Sequence, residues 1–204
     1  MKMHMMLVAA SAAVILAQPA AAVTVTYVAS LSGPAESPPN SSLGTGSATV
    51  IVDTTASTME VIVSFSGLNT LTGAGAPSGT TASHIHCCTA SPGLLNAGVA
   101  TELPLFSGFP TGVTAGSYDH IFDMTLAASF NPAFVTAHGA SVAQAFVDLL
   151  SGMDAGKAYL NIHTNAFPGG EIRGFLAPVP EPGTYALMLA GLGATGLAAR
   201  RRRV

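Results

Sequence analysis

The chain has 204 residues and a formal net charge of −3. Hydrophobic residues make up 49% and charged residues 8%, and two apolar termini inflate a mean hydropathy of +0.51. Between those termini, residues 23–177 carry two bases (Lys157 and Arg173) against nine acids, a net −7 that argues against nucleic acid or anionic lipid as a partner.

The N-terminus reads as an address. Lys2 precedes an apolar run from Met5 to Ala17 broken only by Ser11, and Pro19 and Ala20-Ala21-Ala22 follow. This is the order of a secretory signal peptide over residues 1–22, cut after Ala22 by signal peptidase. The mature chain then begins at Val23, and residues 23–177 are the length of one domain.

The domain is expected to be mainly β, a single antiparallel sandwich with a short helical insertion. Thr24–Leu31 alternates as a strand does. Gly46–Asp53 and Ser57–Phe65 flank a hairpin turn at 53–56. Asn69–Thr81 is rich in Gly, Ser and Thr and reads as a loop. Further strands are expected over Ala82–Cys87, His120–Ala127, Lys157–His163 and Gly170–Leu176. One or two helices are expected between Asn131 and Gly152. Asn131-Pro132 supplies a cap and a first-turn proline, Val142, Ala145, Phe146, Leu149 and Leu150 fall at helical spacing, and Gly152 closes the run.

The C-terminus, residues 178–204, has three parts in order. Pro180-Glu181-Pro182 is held extended by its prolines. Thr184–Ala199 is uncharged, and its sixteen residues span about 24 Å as a helix, short of a ~30 Å hydrocarbon core but within reach of snorkelling flanks. Arg200, Arg201, Arg202 and Arg203 stop transfer and stay cytoplasmic. The arrangement resembles the PEP-CTERM sorting signal of Gram-negative bacteria. That resemblance implies a transmembrane helix held transiently in the inner membrane and processing by the protease-transpeptidase exosortase. It also implies delivery to the cell surface or the extracellular polysaccharide matrix, where exopolysaccharide or surface proteins become partners.

Chemistry-bearing side chains gather in two stretches, Ser83–Cys88 and Tyr159–Gly174. Alternate residues of a strand share a face, which places His84 with His86, Asn161 with His163, and Glu171 with Arg173. If the two histidine strands are neighbours, three imidazoles converge. His84, His86, His163, Glu171 and Arg173 then form a buried structural network, with the acid and arginine paired across strands. The alternative is a zinc or copper site, or a metalloenzyme, using His84, His86 and His163.

Cys87-Cys88 is an adjacent pair in an exported domain. A disulfide between neighbours, free thiols, ligation beside His86 and intermolecular pairing are all open to it. No Gly-x-Ser-x-Gly, Walker or His-Glu-x-x-His pattern occurs, and residues adjacent on a strand face opposite ways, so Cys87 and His86 are no nucleophile–base pair. The expectation is a protein that is not an enzyme and has no catalytic residue and no required cofactor.

The pair His84-Ile85-His86 and Asn161-Ile162-His163-Thr164, with Phe167-Pro168-Gly169-Gly170-Glu171-Ile172-Arg173-Gly174 after it, resembles the CHRD domain first described in chordin. Leu31-Ser32-Gly33-Pro34-Ala35-Glu36-Ser37-Pro38-Pro39 and Gly44-Thr45-Gly46 fit its opening strands. The resemblance implies a mainly β domain over most of residues 23–176; the family's bacterial members have no settled activity, and the expectation for this chain is a binding or structural module. Cys87-Cys88 and the long stretch Phe130–Gly152 depart from the commonest form of the domain.

Overall fold

The computed structural model describes residues 24–68 and 79–180. The expected signal peptide, most of the 69–81 loop, Glu181, Pro182, the 184–199 segment and Arg200–Arg203 lie outside the described residues. Within them, no helix is long and apolar enough to cross a membrane.

Among the described residues, eight strands and two α-helices follow one another. They are β1 (Thr24–Ser32), β2 (Thr45–Asp53), β3 (Thr58–Ser66), β4 (Thr80–His86), β5 (Gly116–Asp123), α1 (Pro132–Ala137), α2 (Val142–Asp154), β6 (Tyr159–Thr164), β7 (Ile172–Phe175) and β8 (Ala177–Pro178). All pairings are antiparallel, in the order β4-β6-β7-β1-β2-β3-β5, with β8 also on β1. Hydrogen bonding therefore makes one continuous curled sheet rather than two separate ones. β1 is the reason. One edge pairs with β2 along its whole length, and the other takes β7 at Ser32 and β8 at Tyr27 and Val28.

The inward face follows strand parity. Tyr27, Ala29 and Leu31 of β1, Ala48, Val50 and Val52 of β2, and Met59, Val61, Val63 and Phe65 of β3 are buried. They form one core with Ile85, Leu160, Ile162 and Ile172 from the other arm of the sheet. At about 25 cal/mol per Å² of apolar surface removed from water, this core is the main stabilising contribution.

Several boundaries differ from the sequence reading, those of β4, β5 and α2 among them. β4 begins at Thr80, inside the segment read as loop, because the Thr80 N–H donates to Val113 O at 2.9 Å and its hydroxyl to Pro110 O at 2.6 Å. β5 begins at Gly116 and ends at Asp123. Gly116-Ser117 looks like loop, yet it pairs with Phe65 and Ser64, while Asp123 turns the chain by accepting from the Thr125 N–H and hydroxyl. α2 runs past Gly152 to Asp154. The glycine that ends it is Gly156, at φ +64, where a left-handed residue is required.

Gly152 serves packing instead: a Cβ there would collide with Cys87 Sγ and Cys88 Sγ. α1 has the Asn131 cap expected of it, and α2 has a second cap in Ser141. Asn131 Oδ1 accepts from the Ala133 N–H at 2.9 Å, and the Ser141 hydroxyl accepts from the Gln144 N–H at 3.3 Å. α2 buries Ala145, Phe146, Leu149 and Met153, and Tyr27 donates to Asp154 at its end at 2.6 Å.

Candidate metal centre

β4, β6 and β7 are buried on both faces, which an exposed sheet arm would not be. Ile85, Leu160, Ile162 and Ile172 fill the core side, so His84, His86, Asn161, His163 and Arg173 fall on the other. Register sets them side by side: His84 lies opposite Asn161, Asn161 opposite Arg173, and His86 opposite Tyr159. Loops roof this polar face with backbone carbonyls.

Each imidazole is held by one such carbonyl. His84 Nε2 lies 2.6 Å from Pro104 O, His86 Nδ1 2.9 Å from Ala97 O, and His163 Nδ1 2.9 Å from Pro168 O. A carbonyl accepts, so each of these nitrogens carries the ring proton. The remaining nitrogens, His84 Nδ1, His86 Nε2 and His163 Nε2, are buried with no hydrogen-bond partner. One nitrogen from each ring can be chosen so that the three lie within 4.8 Å of one another. The ring centroids are 5.8, 5.3 and 6.0 Å apart for the 84–86, 84–163 and 86–163 pairs.

Burial keeps the rings neutral. Loss of solvent pushes all three down, His86 to about 4, where its fellow imidazoles and Arg173 add to the effect. His86 also stacks on Tyr159, with centroids 4.8 Å apart and planes 4° from parallel.

Beside the histidines lies an ionic layer. Arg173 donates from Nε to Ala35 O at 2.6 Å, and from one terminal nitrogen to Leu95 O at 3.1 Å and Asn96 Oδ1 at 2.6 Å. Its guanidinium sits 4.7 Å above the Tyr159 ring. The acid beside it is Glu36, with Nε and Oε2 3.8 Å apart. Burial raises the Glu36 carboxyl to about 7, against the opposing pull of Arg173 and a hydrogen bond from Asn161. Asn161 Nδ2 donates to Oε1 at 3.1 Å, and Gly170, at φ +127, leaves room where a Cβ would press on both side chains.

The sequence reading gave Arg173 a different acid. Glu171 is fully buried, but it accepts from the Ser42 hydroxyl and from the Thr164 hydroxyl, each at 2.6 Å. Thr164 is on the core side of β6, so Glu171 ties the β6–β7 connection to the Ser42 loop. The structure thus brings His84, His86, His163 and Arg173 to one face and gives Glu171 a separate task. Glu36 is the residue that sequence reasoning missed. The domain has nine acids to offer its one arginine, and strand parity says nothing of an acid on a loop.

Cys87 and Cys88 are bonded to each other, directly after His86 and against Gly152 of α2. Neither sulfur is a thiolate available to an ion. Pro180 is the one residue of the sorting signature among the described residues.

A family model described as the CHRD domain matches residues 27–176, and one described as the PEP-CTERM protein-sorting motif matches residues 178–203. No curated protein and no solved structure matches the chain.

Proposed function

The chain belongs to the CHRD domain family and carries a PEP-CTERM sorting motif, and from that premise we propose that its β domain works outside the cell as a binding or structural module, not an enzyme. The motif marks the chain for exosortase processing and for sorting to the cell surface or the extracellular space. In this reading residues 1–22 are removed on export, residues 184–199 hold the chain in the inner membrane until cleavage, and exopolysaccharide or surface proteins are the neighbours of the released domain.

The observation that carries the reading is where the last described strand lies. β8 pairs with β1 through Ala177 and Pro178, and the Val179 N–H donates to Thr26 O at 2.7 Å. Pro180 follows at once. A cut beyond Pro180-Glu181-Pro182 therefore removes none of the described strands, so the domain survives its own sorting.

Intact mass of protein extracted from the cell surface tests this. The expected species begins near Val23 and has lost the arginine cluster. Recovery of Arg200–Val204 in that material would refute C-terminal removal.

A further inference from the structure

We propose that His84 Nδ1, His86 Nε2 and His163 Nε2 bind one transition-metal ion of the zinc or copper class. This goes beyond the sorting reading and does not depend on it.

Three observations converge. The first is the unpartnered nitrogens. A buried polar atom without a partner costs free energy, and each of three neighbouring rings carries one. A structural network would have paired them with one another or with neighbouring side chains. Here they are left as lone pairs.

The second is tautomer control. Each ring gives its proton to a backbone carbonyl, of Pro104, Ala97 or Pro168. This is the outer support that metal-bound histidines require, since it fixes the ring and directs the other nitrogen inward. Two of the carbonyls, of Ala97 and Pro104, lie on the β4–β5 connection and the third, of Pro168, on the β6–β7 connection, so the ring orientations are set by the fold before an ion arrives.

The third is the donor set. Three imidazoles suit zinc or copper and leave a further position open, whereas calcium and magnesium take oxygen ligands. The nearby sulfurs are tied to each other, so the set is purely nitrogen. The three rings already offer one nitrogen each within 4.8 Å of one another, and an ion bonded at about 2.0–2.1 Å to each ring draws its ligands closer than that.

The test uses the full chain purified in detergent, stripped with chelator and dialysed against zinc(II) or copper(II) near neutral pH. Metal analysis should find one tightly held ion per chain. His163→Ala and His86→Ala should weaken binding about 100-fold or more, beyond the 10–100-fold typical of losing an outer support. His120→Ala, which alters a histidine on the far arm of the sheet, should leave binding unchanged. Circular dichroism checks that each variant folds. If a ligand variant does not fold, wild-type stoichiometry and the ring-nitrogen NMR shifts of His84, His86 and His163 on zinc addition decide. Wild type that holds neither metal, folded ligand variants that bind as well as wild type, or ring-nitrogen shifts unmoved by zinc would overturn the proposal. Any of these would leave the sorting account standing.

Discussion

Arg173 lies 3.8 Å from Glu36, and both side chains are buried, at 3% and 6% exposure. The pair joins β7 to the loop after β1, next to the imidazoles. Removing one partner of a buried ion pair leaves the other charge stranded. At a pH well above 7, where the Glu36 carboxyl is ionised, Arg173→Ala should therefore cost about 3–5 kcal/mol in chemical denaturation. Adding Glu36→Gln to it should cost less than the two single losses combined, because the stranded charge is gone. Strict additivity would mean the pair is not coupled.

Gly152→Ala separates packing from helix propensity. Alanine in a helix interior gains about 1 kcal/mol over glycine. Here the added methyl meets the sulfurs of Cys87 and Cys88, which belong to a short bonded ring and cannot swing aside. Overpacking of this kind costs about 1–3 kcal/mol. The substitution should lower the melting temperature, and a rise would show that α2 is not held against the cysteine pair.

Acid should destabilise the chelator-treated protein. The folded His86 value of about 4 lies below the ordinary value of 6.5, and His84 and His163 are shifted the same way. The unfolded chain binds more protons than the folded one in that interval. This contribution is thus complete above about 6.5 and is lost as pH falls toward about 4. Glu36 opposes it: raised from 4.5 to about 7, its contribution is present below 4.5 and is lost as pH rises through about 7. The His86 and Glu36 contributions oppose each other, and His84 and His163, shifted the same way as His86, tip the balance, so melting temperature should fall as the solution is acidified below about 6.5. The fall should steepen in Glu36→Gln, where the opposing group is gone. A flat profile would mean the rings are solvated.

Replacing Pro180, Glu181 and Pro182 with alanine should leave the chain uncut and held in the inner membrane. Fractionation with a probe on the folded domain reads this directly. Normal release of the substituted protein would place the recognition signal elsewhere.

Much of this was legible in the sequence because strands alternate. The parity of His84 with His86 and of Asn161 with His163 follows from spacing alone, and pairing of β4 with β6 then brings the rings together. Loops carry no such period. Nothing in Ala97, Pro104 or Pro168 announces that its carbonyl will hold a histidine, and Glu36, although it falls in the opening pattern Leu31–Pro39, has no strand parity to aim it at Arg173. Glu171 and Arg173 are two apart, but Glu171 precedes β7, where the alternation has not yet begun. The role of Gly152 was hidden likewise: a glycine late in a helical run reads as a terminator, and only the cysteine pair opposite it gives the other reason for a missing side chain.

The most direct measurement is X-ray absorption at the zinc edge of the zinc-loaded full chain. The account predicts a nearest shell that includes three imidazole nitrogens at about 2.0–2.1 Å, with the multiple-scattering signature of histidine rings. A sulfur shell near 2.3 Å would contradict it, as would a shell of oxygen with no imidazole signature.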